Sequence, residues 1–309
     1  MPCRTPPPAR SETPNEPRHM KLTWKDRFRG LDIAVDLGTA RTRVFVRGHG
    51  LVLDEATAVL FEGGGNPRFP ARRGKVLAVG DDATRATASG AGELVRPVTD
   101  GCLHDPEAAE ALLKGLLRKA GVTGFRRKDR MVLAHAGCGG TPEMAAAKNV
   151  ALRVGAREVF IIEASMSAMI GTGEDVTDEE TRMVFDVGAG VAEAALVRRA
   201  GIVHRESLRL GTERIRPENA PDETSAVLEL LLSLAARCAA AVPPDQAGSL
   251  RANGLWLVGG GAFLPGFADA VAKRTGLTVH TPDDPTLAVI RGTGRVLDEL
   301  EHLSRLPSR

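Results

Sequence analysis

At 309 residues the chain is long enough for two domains, each with its own core. A formal net charge of only +2, 4% aromatic residues and no tyrosine argue against a nucleic-acid binder, which needs surplus cations for phosphates or rings for base stacking. The cysteines Cys3, Cys102, Cys138 and Cys238 form no CxxC pair, so neither a zinc site nor a disulfide framework is implied and a reducing cytoplasm is expected.

Residues 1–19 carry Pro2, Pro6, Pro7, Pro8, Pro14 and Pro17 and almost nothing apolar, the composition of a disordered tail. Residues 21–30 are basic and hold Leu22, Trp24 and Phe28, and the first 30 residues lack the apolar core of a secretory signal. Strand-like runs follow at 31–37, 42–47, 56–61, 75–79, 130–135, 157–162, 182–187, 191–197, 202–208 and 254–258. Helix-like stretches fall at about 105–119, 141–154, 164–171, 223–242, 265–274 and 286–300. The most apolar run, 226–242, is interrupted by Glu229 and Arg237 and reads as a buried helix, too short and too charged to span a bilayer. Strands alternating with helices predict an α/β fold.

An internal repeat carries the most information. Ile33-Ala-Val-Asp36-Leu-Gly38-Thr-Ala lies on Met183-Val-Phe-Asp186-Val-Gly188-Ala-Gly without gaps, at an offset of 150 residues. Each copy is an apolar strand, an Asp-x-Gly turn and a second apolar strand, which implies two similar lobes facing each other. Glycine lets the backbone approach a ligand closely, and consecutive amides in such a turn can hold a phosphate. Asp36 and Asp186 would then face each other near the phosphates, where Mg²⁺ and its waters would sit. One Asp-Leu-Gly-Thr alone is most often a hairpin turn with a capping aspartate; the duplication shifts the balance toward function. A third element, Leu257-Val258-Gly259-Gly260-Gly261-Ala262, is a strand running into glycines ahead of a helix, where free amides leave room for a nucleotide. His135 ends a strand and reads as a core or rim histidine rather than a base, and the other histidines show no metal-ligand spacing.

These residues resemble the MreB/Mbl family of bacterial actin homologues. Asp36-Leu-Gly-Thr-Ala-Arg-Thr42 resembles its first phosphate loop, and Val79-Gly-Asp81, Arg96-Pro-Val-Thr-Asp-Gly101, Gly155 to Glu163, Met166 to Gly171, Leu257 to Gly261 and Asp284-Pro-Thr-Leu287 follow in the family's order. The resemblance covers about residues 31–300. It implies an actin-like ATPase fold of two duplicated ribonuclease-H-like lobes, with ATP or ADP and Mg²⁺ in the cleft. It further implies filaments of this chain or with MreB-type partners beneath the inner membrane, contacts with cell-wall synthesis proteins, and a role in cell shape. The expected division is a tail and basic segment at 1–30, a first lobe at 31–155, a second lobe at 156–285 and a helix returning to the first lobe at 286–309. The nucleotide would be held by Gly38, Thr39, Ala40 and Arg41, by Gly188, Ala189, Gly190 and Val191, and by Gly259, Gly260, Gly261 and Ala262, with Asp36 and Asp186 at the metal.

Four departures from the family pattern bear on activity. Arg41 stands where the family has asparagine. Ala164 stands where the family has the glutamate that positions the attacking water, and a methyl group cannot accept a proton. Val191 and Ala192 replace two threonines of the second loop. After Arg209-Leu-Gly-Thr-Glu213 the chain passes through Pro217 and Pro221 straight into a helix, so the second lobe is expected to lack its upper subdomain. Slow or absent ATP turnover follows, and a scaffold that binds other filaments or wall-synthesis proteins without turnover is the alternative. Family members reach the membrane by an N-terminal amphipathic segment or an apolar loop. Trp24 and Phe28, four apart among basic residues, and Phe125, ahead of Arg126, Arg127 and Lys128, are the corresponding candidates.

Overall fold

The computed structural model describes residues 31–63, 74–87, 90, 92–122, 130–137, 140–215 and 221–304. Trp24, Phe28 and Phe125, with the basic residues around them, lie outside the described residues.

The chain opens with β1 (Ile33–Leu37), β2 (Arg41–Val46) and β3 (Gly50–Ala56), an antiparallel meander. A smaller unit follows: β4 (Val59–Phe61), β5 (Val76–Val79), α1 (Asp81–Thr87) and β6 (Glu93–Val95), in a sheet ordered β5-β4-β6. After the short pair β7 (Val98–Thr99) and β8 (Cys102–Leu103) comes α2 (Pro106–Lys119). This helix starts where Asp105 accepts the Ala108 amide at 2.9 Å and Pro106 needs no donor of its own. β9 (Arg130–His135), α3 (Thr141–Arg153) and β10 (Glu158–Glu163) complete a five-stranded sheet ordered β10-β9-β1-β2-β3.

α4 (Ala164–Thr172) leads to β11 (Arg182–Val187), β12 (Ala192–Arg198) and β13 (Gly201–Leu208), again an antiparallel meander. Then come α5 (Pro221–Ala240), α6 (Ala247–Asn253), β14 (Leu255–Val258), α7 (Phe267–Thr275), β15 (Val279–His280) and α8 (Ala288–Ser304). The second sheet is ordered β13-β12-β11-β14-β15. Strand for strand it repeats the first: a central strand, β1 or β11, is antiparallel to its hairpin partner and parallel to a later strand on its other side. The 150-residue repeat is thus two copies of one sheet.

Both faces of each central strand are buried, which is why the runs are continuously apolar rather than alternating. Ile33 and Val35 pack with Leu113, Leu117 and Val150 of α2 and α3, while Ala34 meets Ile290 and Leu297 of α8 on the opposite face. In the second sheet Met183 and Phe185 pack with Leu231, Leu234 and Phe267 of α5 and α7, while Val184 meets Met169 of α4. α4 and α8 cross each other between the lobes, and two glycines permit the approach. A Cβ on Gly171 would collide with the Ala288 carbonyl, and one on Gly292 with the Ser167 carbonyl.

Several boundaries differ from the sequence reading. β10 pairs in parallel with β9 and belongs to the first sheet, so the division expected at 155/156 is misplaced and the chain crosses between lobes in α4. The run expected at 56–61 is the end of β3 and the whole of β4, separated by a kink at Thr57 and Ala58. α1, α6, β6, β7, β8 and β15 are each seven residues or fewer, too short to leave a periodic pattern.

Candidate functional site

The two Asp-x-Gly turns are built alike. In the first, the Gly38 amide donates to the Arg41 carbonyl at 3.1 Å; in the second, the Gly188 amide donates to the Val191 carbonyl at 2.9 Å. The carbonyls of each turn are then pulled to one side. Thr57 donates its hydroxyl to the Gly38 oxygen at 2.7 Å and its amide to the Ala40 oxygen at 2.9 Å. Thr212 and Glu213 donate their amides to the Gly188 and Ala189 oxygens, both at 2.9 Å. A trans peptide sets the next N–H opposite its carbonyl, so the amides of Thr39, Ala189 and Gly190 turn the other way. The turns also meet: a Cβ on Gly190 would press on the Thr39 hydroxyl and the Asp100 backbone.

Between the lobes lies a cavity of about 320 Å³. It is lined by Gly38, Thr39, Ala40 and Arg41 from the first turn and by Gly188, Ala189, Gly190 and Val191 from the second. Gly259 and Gly260 line it too, together with Asp36, Arg43, His135, Ala164, Asp186, Glu193 and Thr212. Two expected residues do not reach it. Gly261 is buried against the Val187 side chain, and Ala262 packs on the core of the second sheet. Nor does a helix begin at these glycines: residues Gly260–Phe263 form a 3₁₀ turn, and α7 starts only at Phe267. Gly259 has φ +78°, and a side chain there would strike the Asp186 carboxylate. Its absent side chain makes room for that aspartate.

The floor of the cavity is electrostatically uneven. Burial, with a contribution from the Asp36 charge, pushes the Asp186 carboxyl up to about 7. Asp36 is also raised by burial, with Arg43 opposing the shift. Glu193, paired with Asp186 across β11 and β12, is pushed up to about 7 by burial and by that neighbour. Its carboxyl receives the Gly137 amide, yet Oε1 has no hydrogen-bond partner among the described residues. His135, at the end of β9, is held below its ordinary value chiefly by burial. Ala164 presents its methyl to the cavity, while the adjacent Glu163 is engaged elsewhere, by Arg205 at 2.6 Å.

Asp36 and Asp186, expected at the metal, both line the cavity, but Asp36 is already paired. The Arg43 guanidinium lies 3.3 Å from its Oδ2, and no group of three or more His, Cys, Asp or Glu side chains among the described residues could hold a metal ion. Mg²⁺ in a nucleotide site takes one or two carboxylates beside its waters and the phosphates; with Asp36 held by Arg43 and Asp186 pushed toward its neutral form by burial, this donor set is a poor fit.

The geometry of paired glycine turns facing one cleft agrees with comparisons of sequence and fold. The profile of the family described as "MreB/Mbl protein" matches residues 30–220 and 214–305. The chain belongs to the MreB/Mbl family. It is 28% identical to the cell shape-determining protein MreB of Escherichia coli over 340 residues, covering 89% of this chain and 96% of that protein. Among solved structures it is similar to MreB 5 of Spiroplasma citri bound to AMPPNP, with a TM-score of 0.76, 21% identity and coverage of 89% and 98%. It is also similar to the MamK double helical filament, with a TM-score of 0.68, 17% identity and coverage of 90% and 99%. These neighbours give the fold as actin-like. The two profile matches join at the link between β13 and α5. The alignment with the E. coli MreB runs over 340 positions although 89% of 309 residues is far fewer, so a block of that relative has no counterpart here.

Sequence reading missed Arg43 and Glu193. Each had a signal: an arginine just after the loop on the Asp36 face of its hairpin, and the one carboxylate in a mostly apolar strand.

Proposed function

We propose that this MreB/Mbl member is a cytoskeletal protein that binds a nucleoside triphosphate between its lobes, self-associates into filaments and acts in cell shape. The observation that carries the reading is the pair of glycine turns that line one cavity, each with its carbonyls tied back by hydrogen bonds within its own lobe. A polyphosphate bridging them would tie the lobes together. The relatives' names support the cell-shape role, and the filament structure of MamK supports self-association.

Turnover in this reading is slow. Ala164 supplies no base, Glu163 is held by Arg205, and Val191 and Ala192 carry no hydroxyl. The second lobe in this reading is a reduced one, supported by the positions of the E. coli MreB that have no counterpart here and by the join of the two family matches just before α5. Peripheral attachment to the inner membrane through Trp24, Phe28 or Phe125, and contact with wall-synthesis proteins, complete the proposal. No helix among the described residues is long and apolar enough to cross a membrane. Sedimentation with and without ATP tests assembly: nucleotide-dependent pelleting is expected, and a monomer under all conditions would overturn self-association. Anionic liposomes added to the same samples test the membrane contact, with loss of binding expected when Trp24, Phe28 and Phe125 are all changed to alanine.

A further inference from the structure

The cleft already contains a cation. Asp36, Arg43 and Asp54 stand directly opposite one another across β1, β2 and β3, on one face of the sheet. Arg43 reaches Asp36 at 3.3 Å and Asp54 at 3.2 Å, and its side chain is only 12% exposed. Asp54 is braced in turn by Arg41, whose Nε lies 2.5 Å from it, and Arg41 also meets Asp81 at 3.3 Å. The guanidinium is thus fixed from two sides, lines the cavity beside both glycine turns, and is the positive charge felt by both Asp36 and Asp186. Arginine stays protonated at any physiological pH, and with Nε turned to Asp54 and Nη1 to Asp36 it is Nη2 that would meet a phosphate. A divalent ion placed beside Asp36 would be repelled by this charge and would have to displace it from its carboxylates.

We propose that Arg43 takes the place of a resident divalent cation, so that the cleft binds a nucleoside triphosphate through this fixed guanidinium without requiring Mg²⁺. The inference rests on the nucleotide-binding reading above and concerns how that site meets the phosphate charge. Asp36 serves as the counter-ion that orients Arg43, and Asp54 limits its swing.

The test is calorimetric titration of ATP into the full chain, once in buffer with MgCl₂ and once in EDTA. The affinities are expected to agree within about threefold, less than 1 kcal/mol on the scale where tenfold is 1.4 kcal/mol. Arg43→Leu, checked for folding by thermal melting, is expected to bind about tenfold or more weakly in EDTA and to recover part of that loss with Mg²⁺. A wild-type protein whose affinity falls about tenfold or more in EDTA would overturn the proposal without use of any variant. Absence of ATP binding in both buffers would instead overturn the nucleotide reading on which it rests, so the two failures are distinct.

Discussion

Asp186 shows how far a single residue's chemistry depends on its neighbours. It sits at a strand end in the cleft, raised to about 7 by burial and by Asp36. A carboxyl whose folded value exceeds its unfolded value of about 4 keeps its proton only when folded, so its stabilising contribution is complete below pH 4 and fades as pH rises toward 7. Asparagine carries no such penalty at any pH. Asp186→Asn is therefore expected to raise the melting temperature of the nucleotide-free protein by several degrees at pH 8 and by clearly less at pH 5. A gap that does not widen between these pH values would contradict the assigned burial. Ala164 makes the second prediction at this scale. If its methyl is what limits turnover, Ala164→Glu raises the ATP hydrolysis rate by about tenfold or more, part of the 10²–10⁴-fold that a positioned base supplies. An unchanged rate in a steady-state phosphate-release assay would move the limitation elsewhere.

At the scale of elements, the hairpins were legible because an Asp-x-Gly turn between apolar strands needs only local sequence to be recognised, and its repetition fixed the pairing of lobes. β10 was assigned to the wrong lobe because a parallel strand finds its neighbour through a crossover, which leaves no local mark. Arg43 and Glu193 were missed for a related reason: the local signal each carried gains its meaning only from the residues on the strands beside it, Asp36 and Asp54 in one case, Asp186 in the other. The glycines of α4 and α8 likewise lie far apart in sequence and meet only in the fold. Gly292→Ala would drive a methyl into the Ser167 carbonyl, so it is expected to destabilise the protein by about 1–3 kcal/mol, the ordinary cost of overpacking. Chemical denaturation measures this, and an unshifted midpoint would mean that the helices can separate freely.

For the whole molecule, the question is what keeps two lobes together around a cleft. α4 and α8 form the crossing at its base. On its rim, Arg96 of the first lobe meets Glu213 of the second at 2.9 Å, and Glu163 meets Arg205 at 2.6 Å. Partly exposed pairs add little to stability, but these two link the lobes directly. The Arg96→Ala, Arg205→Ala double variant is expected to melt close to wild type yet bind ATP more weakly, as the lobes lose their alignment. Unchanged affinity would show that the crossing helices alone set the cleft.

A nucleotide seated between the two turns is the event on which binding and turnover both depend. Calorimetry with ATP measures it directly. One site per chain is expected, and Gly190→Val, whose side chain would push against Thr39 and Asp100 and part the turns, is expected to abolish the signal while circular dichroism stays native. A folded wild-type chain that releases no heat with ATP or ADP, or a Gly190→Val protein that binds as wild type does, would contradict the assigned site.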